Sequence, residues 1–321
     1  MRDAPYLADV AAEGLVGRAV WSVASDGVEV RVGAWPGGDR GTVLIFPGRT
    51  EYVEKYSMVA RALVAQGYSA TAIDWRGQGL TERAGGQLGH VQDFGDYQHD
   101  VDAYVAAVRA MGMPAPFHLL AHSMGGLIGL RACLRGVTFA RVAFSAPLWG
   151  LPLLPHMRLL AWSVSHAGAA LGLGLRAVPG SGAAVDPAGV AFEGNLLTND
   201  RAMFEWMRHQ AVTHPDLALA GPTLSWLRAA LREMAEVRDI PSPASLPCLT
   251  VLGTDEAIVD PDAIRARMAE WPDGRLTMVE GGRHETLMDA PSVRDRLLAS
   301  IGAHFGETAT MAPAQQAADA G

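Results

Sequence analysis

The sequence predicts an α/β fold: a mostly parallel sheet with helices on both faces and a helical insertion between two strands. Short apolar runs, typical of strands buried on both faces, alternate with segments of helical periodicity. Such alternation supplies the crossover connections that parallel strands need. The alternation then stops between residues 148 and 237, where no convincing strand is found.

The predicted elements follow one another along the chain. A hairpin over 21–35 comes first, because Asp26-Gly27 between two strand-like runs is a strong hairpin signal. The buried strands that follow are predicted at 42–46, 69–74, 117–121, 141–145, 247–252 and 275–279. Helices are predicted to end near Gln66 and to occupy 94–112, 124–135, 261–271 and 291–302.

This order divides the chain into three parts. Residues 1–147 and 238–306 form the predicted core, and 148–237 form a helical lid, rich in Leu, Trp and Met, over the sheet edge. Residues 307–321 are small and polar without periodicity, which predicts a disordered tail. The uncharged run 159–175 in the lid is shorter than the roughly 20 residues that cross a bilayer, so we expect a buried or interfacial segment.

Composition excludes several classes of function. The 321 residues carry 26 basic and 34 acidic groups, a net charge of −8, without the basic cluster typical of nucleic-acid binding or polybasic membrane anchors. Two cysteines, Cys133 and Cys248, cannot form a disulfide framework, and the first residues lack a signal peptide's apolar run. We therefore expect a cytoplasmic protein. The His and Cys spacings match no metal motif, so no metal or cofactor is predicted.

The motif AHSMGG at 121–126 carries the strongest chemical signal. It lies where a predicted strand ends and a helix begins, a sharp turn that exposes a serine hydroxyl above the sheet. Ala121 and Gly125, two residues before and after Ser123, are small enough to avoid a backbone clash there. Ser123 is therefore the candidate nucleophile. The alternative is a helix N-cap, a position that serine also favours.

A serine nucleophile needs a base and an acid that orients the base. His284 follows the last predicted strand, at the sheet edge where the carboxyl ends of parallel strands converge, and is the candidate base. His122 is adjacent to Ser123, so its side chain points away from that neighbour, and we expect a strand-end histidine with satisfied hydrogen bonds. The candidate acids follow the strand at 247–252 and are Asp255, Glu256 and Asp260.

Seven segments, spread over most of the predicted core, together match one known family. They are FPGRTEYVEKY (46–56), DWRGQGLTER (74–83), GHVQDFGDYQHD (89–100), LAHSMGG (120–126), SAPL (145–148), GTDEAIVDP (253–261) and GGRHETLM (281–288). With them the chain resembles the serine α/β-hydrolases of the lysophospholipase and monoacylglycerol lipase group, particularly bacterial lysophospholipase-like members. The predicted lid matches only loosely.

The resemblance implies an α/β-hydrolase fold and assigns roles by position. Ser123 matches the nucleophile and His284 the base. The family's acid lies three residues after the glycine that ends its strand, here Gly253, and four before the Asp of a Val-Asp pair, here Asp260. Both counts give Glu256, where most relatives have Asp, and the order serine, acid, histidine is the expected one. Asp255 remains the alternative acid.

The resemblance also implies an oxyanion hole built from two backbone N–H groups. One belongs to Met124, which follows the nucleophile. The other belongs to Arg49 in the turn Pro47-Gly48-Arg49, where relatives have His-Gly. An ordinary turn at Pro47-Gly48 is the alternative.

These features predict a serine hydrolase that cleaves fatty acyl esters, lysophospholipid or monoacylglycerol, through an acyl-enzyme and without a cofactor. An apolar lid suits a fatty acyl chain and a transient contact with a membrane surface. One alternative is an aminopeptidase of the same fold, similar to proline iminopeptidases, in which lid carboxylates hold the substrate ammonium; the candidates are Glu193, Asp200 and Glu205. The other is a non-catalytic ligand-binding protein.

Overall fold

A computed structural model describes residues 1–182 and 186–307, which form eleven strands and eight α-helices. The strands are β1 (Arg2–Ala4), β2 (Arg18–Val23), β3 (Glu29–Trp35), β4 (Thr42–Phe46), β5 (Ser69–Asp74), β6 (Leu88–Gly89), β7 (Phe117–His122), β8 (Val142–Ser145), β9 (Ala220–Pro222), β10 (Cys248–Gly253) and β11 (Gly274–Val279). The helices are α1 (Ser57–Ala65), α2 (Tyr97–Ala110), α3 (Met124–Leu134), α4 (Pro155–Ala170), α5 (Arg201–Thr213), α6 (Leu224–Arg238), α7 (Pro261–Ala269) and α8 (Pro291–Gly306).

Nine of these strands form one mixed sheet in the order β1-β2-β3-β5-β4-β7-β8-β10-β11. Strands β1, β2 and β3 pair antiparallel, as does β3 with β5, and every pairing from β5 to β11 is parallel. The predicted α/β class with a mostly parallel sheet is therefore confirmed. Register places Ala121 beside both Phe46 and Phe144, so β4, β7 and β8 end at the same edge.

The long buried strands begin and end within a residue or so of the predicted positions, whereas three short strands were not predicted. These are β1, β6 and β9. The expectation of no strand in the insertion is wrong, because β9 pairs with β6 there in a separate two-stranded sheet. Strands of two or three residues are too short to show a periodic pattern, which explains the difference.

The insertion, residues 148–237, contains α4, α5 and α6 and connects β8 to β10. Helix α6 attaches it to the core: Trp226 and Met234 belong to the main hydrophobic cluster, and Glu233 accepts hydrogen bonds from Arg131 of α3 at 2.6 and 2.9 Å. None of the described helices is long and apolar enough to cross a membrane. The predicted tail over 307–321 lies, except for Glu307, outside the described residues.

Candidate active site

Ser123 lies in the sharp turn between β7 and α3. Its φ of 50° and ψ of −118° are unusual for a residue with a side chain, so the surrounding structure must hold this conformation. Ser123 occupies the N-cap position of α3, but its side chain makes no capping hydrogen bond to that helix. The hydroxyl borders a cavity instead.

Gly125 allows the start of α3 to approach the end of β4 closely. A Cβ at this position would lie 2.1 Å from the carbonyl oxygen of Phe46 and 2.5 Å from that of Pro47, both of which are backbone atoms. Only glycine fits such a contact without moving the chain. The contact brings the first turn of α3 next to the turn that follows β4.

His284 and Glu256 form a buried hydrogen-bonded pair in which His284 Nδ1 lies 2.8 Å from Glu256 Oε2. The other carboxylate oxygen accepts the backbone N–H groups of Ile258 at 2.6 Å and Val259 at 3.1 Å. Burial alone would raise the pKa of Glu256, but these hydrogen bonds and the nearby imidazole outweigh it and lower that pKa below its ordinary value. Glu256 is therefore an ionised acceptor at neutral pH.

The other two candidate acids do not contact His284. Asp255 is exposed, and its carboxylate accepts only the hydroxyl of Thr254, at 3.4 Å, within the described chain. Asp260 caps α7 by accepting the backbone N–H of Asp262 at 3.0 Å. With Nδ1 donating to Glu256, the other ring nitrogen of His284 can accept a proton.

The turn after β4 has one free N–H between two that are bound. Gly48 N–H donates to the Glu51 carboxylate, and Thr50 N–H donates to Gln78 Oε1 at 2.6 Å. Within residues 1–182 and 186–307, the intervening Arg49 N–H has no acceptor, and neither has that of Met124. Two such N–H groups at adjoining turns can bind an oxyanion.

A cavity of about 510 Å³ contains both Ser123 and His284. This volume lies within the usual range for a small-molecule site. The insertion supplies much of its apolar lining, with side chains that include Leu197, Phe204, Met207, Leu219 and Trp226.

A buried ionic network lies at one side of this cavity, and sequence analysis missed it. Lys55 Nζ lies 2.5 Å from Glu51 Oε1 and 2.5 Å from Glu285 Oε1, and the hydroxyl of Tyr56 donates to Glu51 Oε2 at 2.6 Å. Because Glu51 also accepts Gly48 N–H, the network holds the turn after β4 in place. One sequence signal could have revealed this network: Lys55 is the only lysine in the sequence, and every other Lys or Arg position is an arginine.

His122 completes this network as a second basic group. Its Nδ1 donates to the Ser145 carbonyl at 3.0 Å, while Nε2 lies 3.7 Å from Glu51 Oε1 and 3.6 Å from Glu285 Oε2. Burial alone would lower the pKa of His122, but the two carboxylates outweigh it and raise that pKa. The carboxylates of Glu51 and Glu285 thus face two basic groups, Lys55 and His122. These carboxylates and His122 could coordinate a metal, but the cation they hold is the Lys55 ammonium.

Comparison with known proteins identifies the family. A family model described as "Serine aminopeptidase, S33" matches residues 37–291, most of the chain. Lysophospholipase L2 of Escherichia coli K12 is 31% identical over 280 residues, covering 81% of this chain and 78% of that protein. The chain belongs to the serine α/β-hydrolases of the lysophospholipase and monoacylglycerol lipase group. The resemblance stated from the sequence is therefore confirmed.

Two further relatives of this α/β-hydrolase agree with that assignment. The probable lysophospholipase L2 of Haemophilus influenzae is 28% identical over 271 residues, covering 83% of each chain. A soluble variant of monoglyceride lipase from Saccharomyces cerevisiae, solved with a substrate analog, superposes with a TM-score of 0.70 at 22% identity and covers 94% of this chain and 98% of its own. The structural match confirms the α/β-hydrolase fold.

In this α/β-hydrolase, the residues that the sequence selected lie at one edge of the sheet. Ser123 and Met124 follow β7, Arg49 follows β4, Glu256 follows β10 and His284 follows β11. Of the two acids left open between the strand and the Val-Asp pair, Glu256 is the one bonded to His284. The catalytic roles of the five residues are proposed below.

Proposed function

We propose that the protein hydrolyses carboxylic esters of fatty acyl chains, lysophospholipids or monoacylglycerols, through a covalent acyl-enzyme on Ser123. The observation that carries the proposal is the 2.8 Å hydrogen bond between His284 and Glu256, next to a strained serine in a largely apolar cavity. Family membership supports the serine hydrolase chemistry.

The proposed reaction uses these groups in sequence. His284 Nε2 takes the hydroxyl proton of Ser123 while the oxygen attacks the ester carbonyl, and Glu256 stabilises the resulting imidazolium. The N–H groups of Arg49 and Met124 bind the negative oxygen of the tetrahedral intermediate. His284 then gives its proton to the departing alcohol. Water attacks the acyl-enzyme by the same route, releasing the fatty acid and regenerating the hydroxyl.

The insertion acts in this proposal as a lid that supplies the acyl site. Its apolar side chains face the cavity from above the sheet edge, and each buried methylene of a substrate contributes about 0.8 kcal/mol. Long acyl chains therefore gain binding energy that an acetyl group cannot gain.

The lid also has an apolar outer surface suited to transient contact with a membrane. Leu159, Leu160 and Leu171 are 69%, 62% and 75% exposed, and the run 159–175 contains no charged residue. Exposed apolar groups of this density favour a lipid surface over water. Such a contact would let monoacyl lipids enter the cavity from the bilayer in which they reside.

The aminopeptidase alternative receives less support from the lid carboxylates. Glu193 is paired with Arg201, Asp200 caps α5, and Glu205 is paired with Arg208 at 2.6 Å. None of the three lines the cavity in the described parts of the chain, so none is available to hold a substrate ammonium.

A substrate panel tests the proposal. Monoacylglycerols and lysophosphatidylcholines with acyl chains of two to sixteen carbons are compared with aminoacyl nitroanilides. Each substrate is tested with the protein and with its Ser123→Ala variant. We expect Ser123-dependent ester hydrolysis that favours chains of about eight carbons or more, since each methylene adds to burial. A maximum at acetyl would contradict the lipid assignment, and cleavage of the nitroanilides alone would favour the peptidase.

A further inference from the structure

The side chain of Arg49 is a partly buried cation in the proposed oxyanion turn. It lines the cavity with Ser123, and its guanidinium lies 5.5 Å from the ring centroid of Trp226. Nη2 donates to the carbonyl oxygen of Ala220 in the lid, while Nε is buried without a hydrogen-bond partner among the described residues. A buried N–H without a partner is unusual and calls for an explanation.

Arg49 also lacks a counterion. No carboxylate lies within 4 Å of its guanidinium in the described chain, and burial lowers its pKa to about 10. The buried Arg31, by contrast, is paired with Glu54 at 2.8 Å and with Asp74 at 2.7 Å. Leaving a partly buried charge unpaired is unfavourable, so an anion that binds Arg49 would reduce that penalty.

The other lining cations are already neutralised. Lys55 lies between the carboxylates of Glu51 and Glu285, and Arg208 pairs with Glu205. An anionic group entering the cavity would therefore find its available positive charge at Arg49.

We propose that the Arg49 guanidinium binds the phosphate of a phosphodiester-bearing glycerol ester, so that the enzyme prefers lysophospholipids to monoacylglycerols of the same acyl chain. The inference rests on the proposed function and specifies its substrate. Guanidinium is well suited to the task, because its planar fork donates two parallel hydrogen bonds to phosphate oxygens.

The substrate's phosphate and the Arg49 guanidinium are matched in the number of covalent bonds that lead to each. In a 1-acyl lysophospholipid, six bonds separate the ester carbonyl carbon from the phosphorus. In Arg49, six bonds separate the backbone nitrogen from the central guanidinium carbon. A substrate whose carbonyl oxygen accepts the Arg49 N–H can therefore extend its phosphate along the same side chain.

The test compares two substrates with one acyl chain, 1-lauroyl-lysophosphatidylcholine and 1-lauroylglycerol, both below their micellar concentrations. The quantity measured is the ratio of their kcat/KM values in the wild type and in Arg49→Met. Methionine keeps the backbone N–H, and any disturbance of the turn acts on both substrates and cancels in the ratio. We expect the ratio to fall about ten- to a hundredfold, the size expected for hydrogen bonds to a charged group.

Two variants serve as controls. Arg49→Lys keeps the positive charge and should retain most of the ratio. Arg83 also contacts the lid, donating to the Ala218 carbonyl at 2.7 Å, but does not line the cavity, so Arg83→Met should leave the ratio unchanged. A wild-type measurement covers the case in which Arg49→Met does not fold: sn-glycerol 3-phosphate should inhibit 1-lauroylglycerol hydrolysis far more strongly than glycerol.

The outcomes are distinguishable. An unchanged ratio in a folded Arg49→Met variant, or equal inhibition by sn-glycerol 3-phosphate and glycerol, would overturn the phosphate site and leave the esterase intact. If the wild type hydrolyses neither lauroyl ester in a Ser123-dependent manner, the proposed function itself fails.

Discussion

Replacing Lys55 with methionine removes the central cation of the buried network while keeping the length of the side chain. Among the described residues, Glu51 and Glu285 would then keep one neighbouring basic group, His122. The side chains of Lys55, Glu51 and Glu285 are only 8%, 3% and 6% exposed, so water cannot screen the remaining charges effectively. The native network holds the pKa of Glu285 well below its ordinary value: burial opposes this, and Lys55 and His122 outweigh it.

Two estimates give the size of the effect. Removing one partner of a buried ion pair destabilises a protein by about 3–5 kcal/mol. Alternatively, one of the two carboxylates takes up a proton. Protonating a glutamate whose ordinary pKa is about 4.3 costs about 3.7 kcal/mol at pH 7. We therefore expect Lys55→Met to reduce the free energy of unfolding by about 4 kcal/mol, a large part of the 5–15 kcal/mol of a typical domain.

If a carboxylate takes up a proton, the loss of stability in Lys55→Met depends on pH. A carboxyl whose pKa is higher in the folded variant than in the unfolded chain destabilises the fold increasingly as pH rises above the unfolded pKa. The deficit relative to wild type should therefore shrink from about 4 kcal/mol at pH 7 to about 1 kcal/mol at pH 5.

Urea unfolding followed by tryptophan fluorescence measures this deficit at both pH values. The matched control is Arg61→Met, because Arg61 lies on α1, the helix that begins two residues after Lys55, and is exposed. We expect that variant to stay within about 0.5 kcal/mol of wild type. A deficit below about 1 kcal/mol for Lys55→Met at pH 7 would refute the ionised network, whereas a full-sized deficit independent of pH would refute proton uptake by a carboxylate.

Two further predictions concern the acid that contacts His284 and the close approach of α3 to β4. Glu256→Gln should lower kcat by up to about 10⁴ while circular dichroism stays native, the loss seen for the corresponding change in serine proteases, whereas Asp255→Asn should stay near wild type because Asp255 is exposed. The opposite ranking in kinetic assays would make Asp255 the acid. Gly125→Ala should destabilise the fold by about 1–3 kcal/mol and reduce turnover, because its Cβ would overlap the Phe46 carbonyl and push Met124 from the turn. Normal stability and turnover in that variant would show that the close approach is unnecessary.

Sequence reasoning succeeded where a signal is local. The run TVLIF predicts β4 (Thr42–Phe46) to the residue, because a strand buried on both faces needs a continuous apolar run. The strand-to-helix motif likewise predicts the turn in which Ser123 lies, and two spacing counts select Glu256, the carboxylate bonded to His284. Strand β9, the tripeptide Ala-Gly-Pro, has neither the length nor the composition of a predictable strand.

Features that depend on contacts distant in sequence could not be predicted. Lys55 and Glu285 are 230 residues apart, and neither carries a local pattern that names the other as its partner. Sequence analysis selected Arg49 for its backbone N–H alone, since only the folded chain brings its side chain beneath Ala220 and Trp226 of the insertion.

The central claim is that Ser123 forms a covalent acyl-enzyme, and labelling with a fluorophosphonate tests it most directly. This reagent bonds covalently to an activated serine and so adds a defined mass to the protein. We expect one equivalent of label on intact protein, located at Ser123 by peptide mapping, with loss of ester hydrolysis in proportion to labelling. Ser123→Ala, folded by circular dichroism, should neither react nor hydrolyse ester. A wild type that resists the reagent, together with an alanine variant that keeps near-normal hydrolysis, would contradict the assignment of the nucleophile.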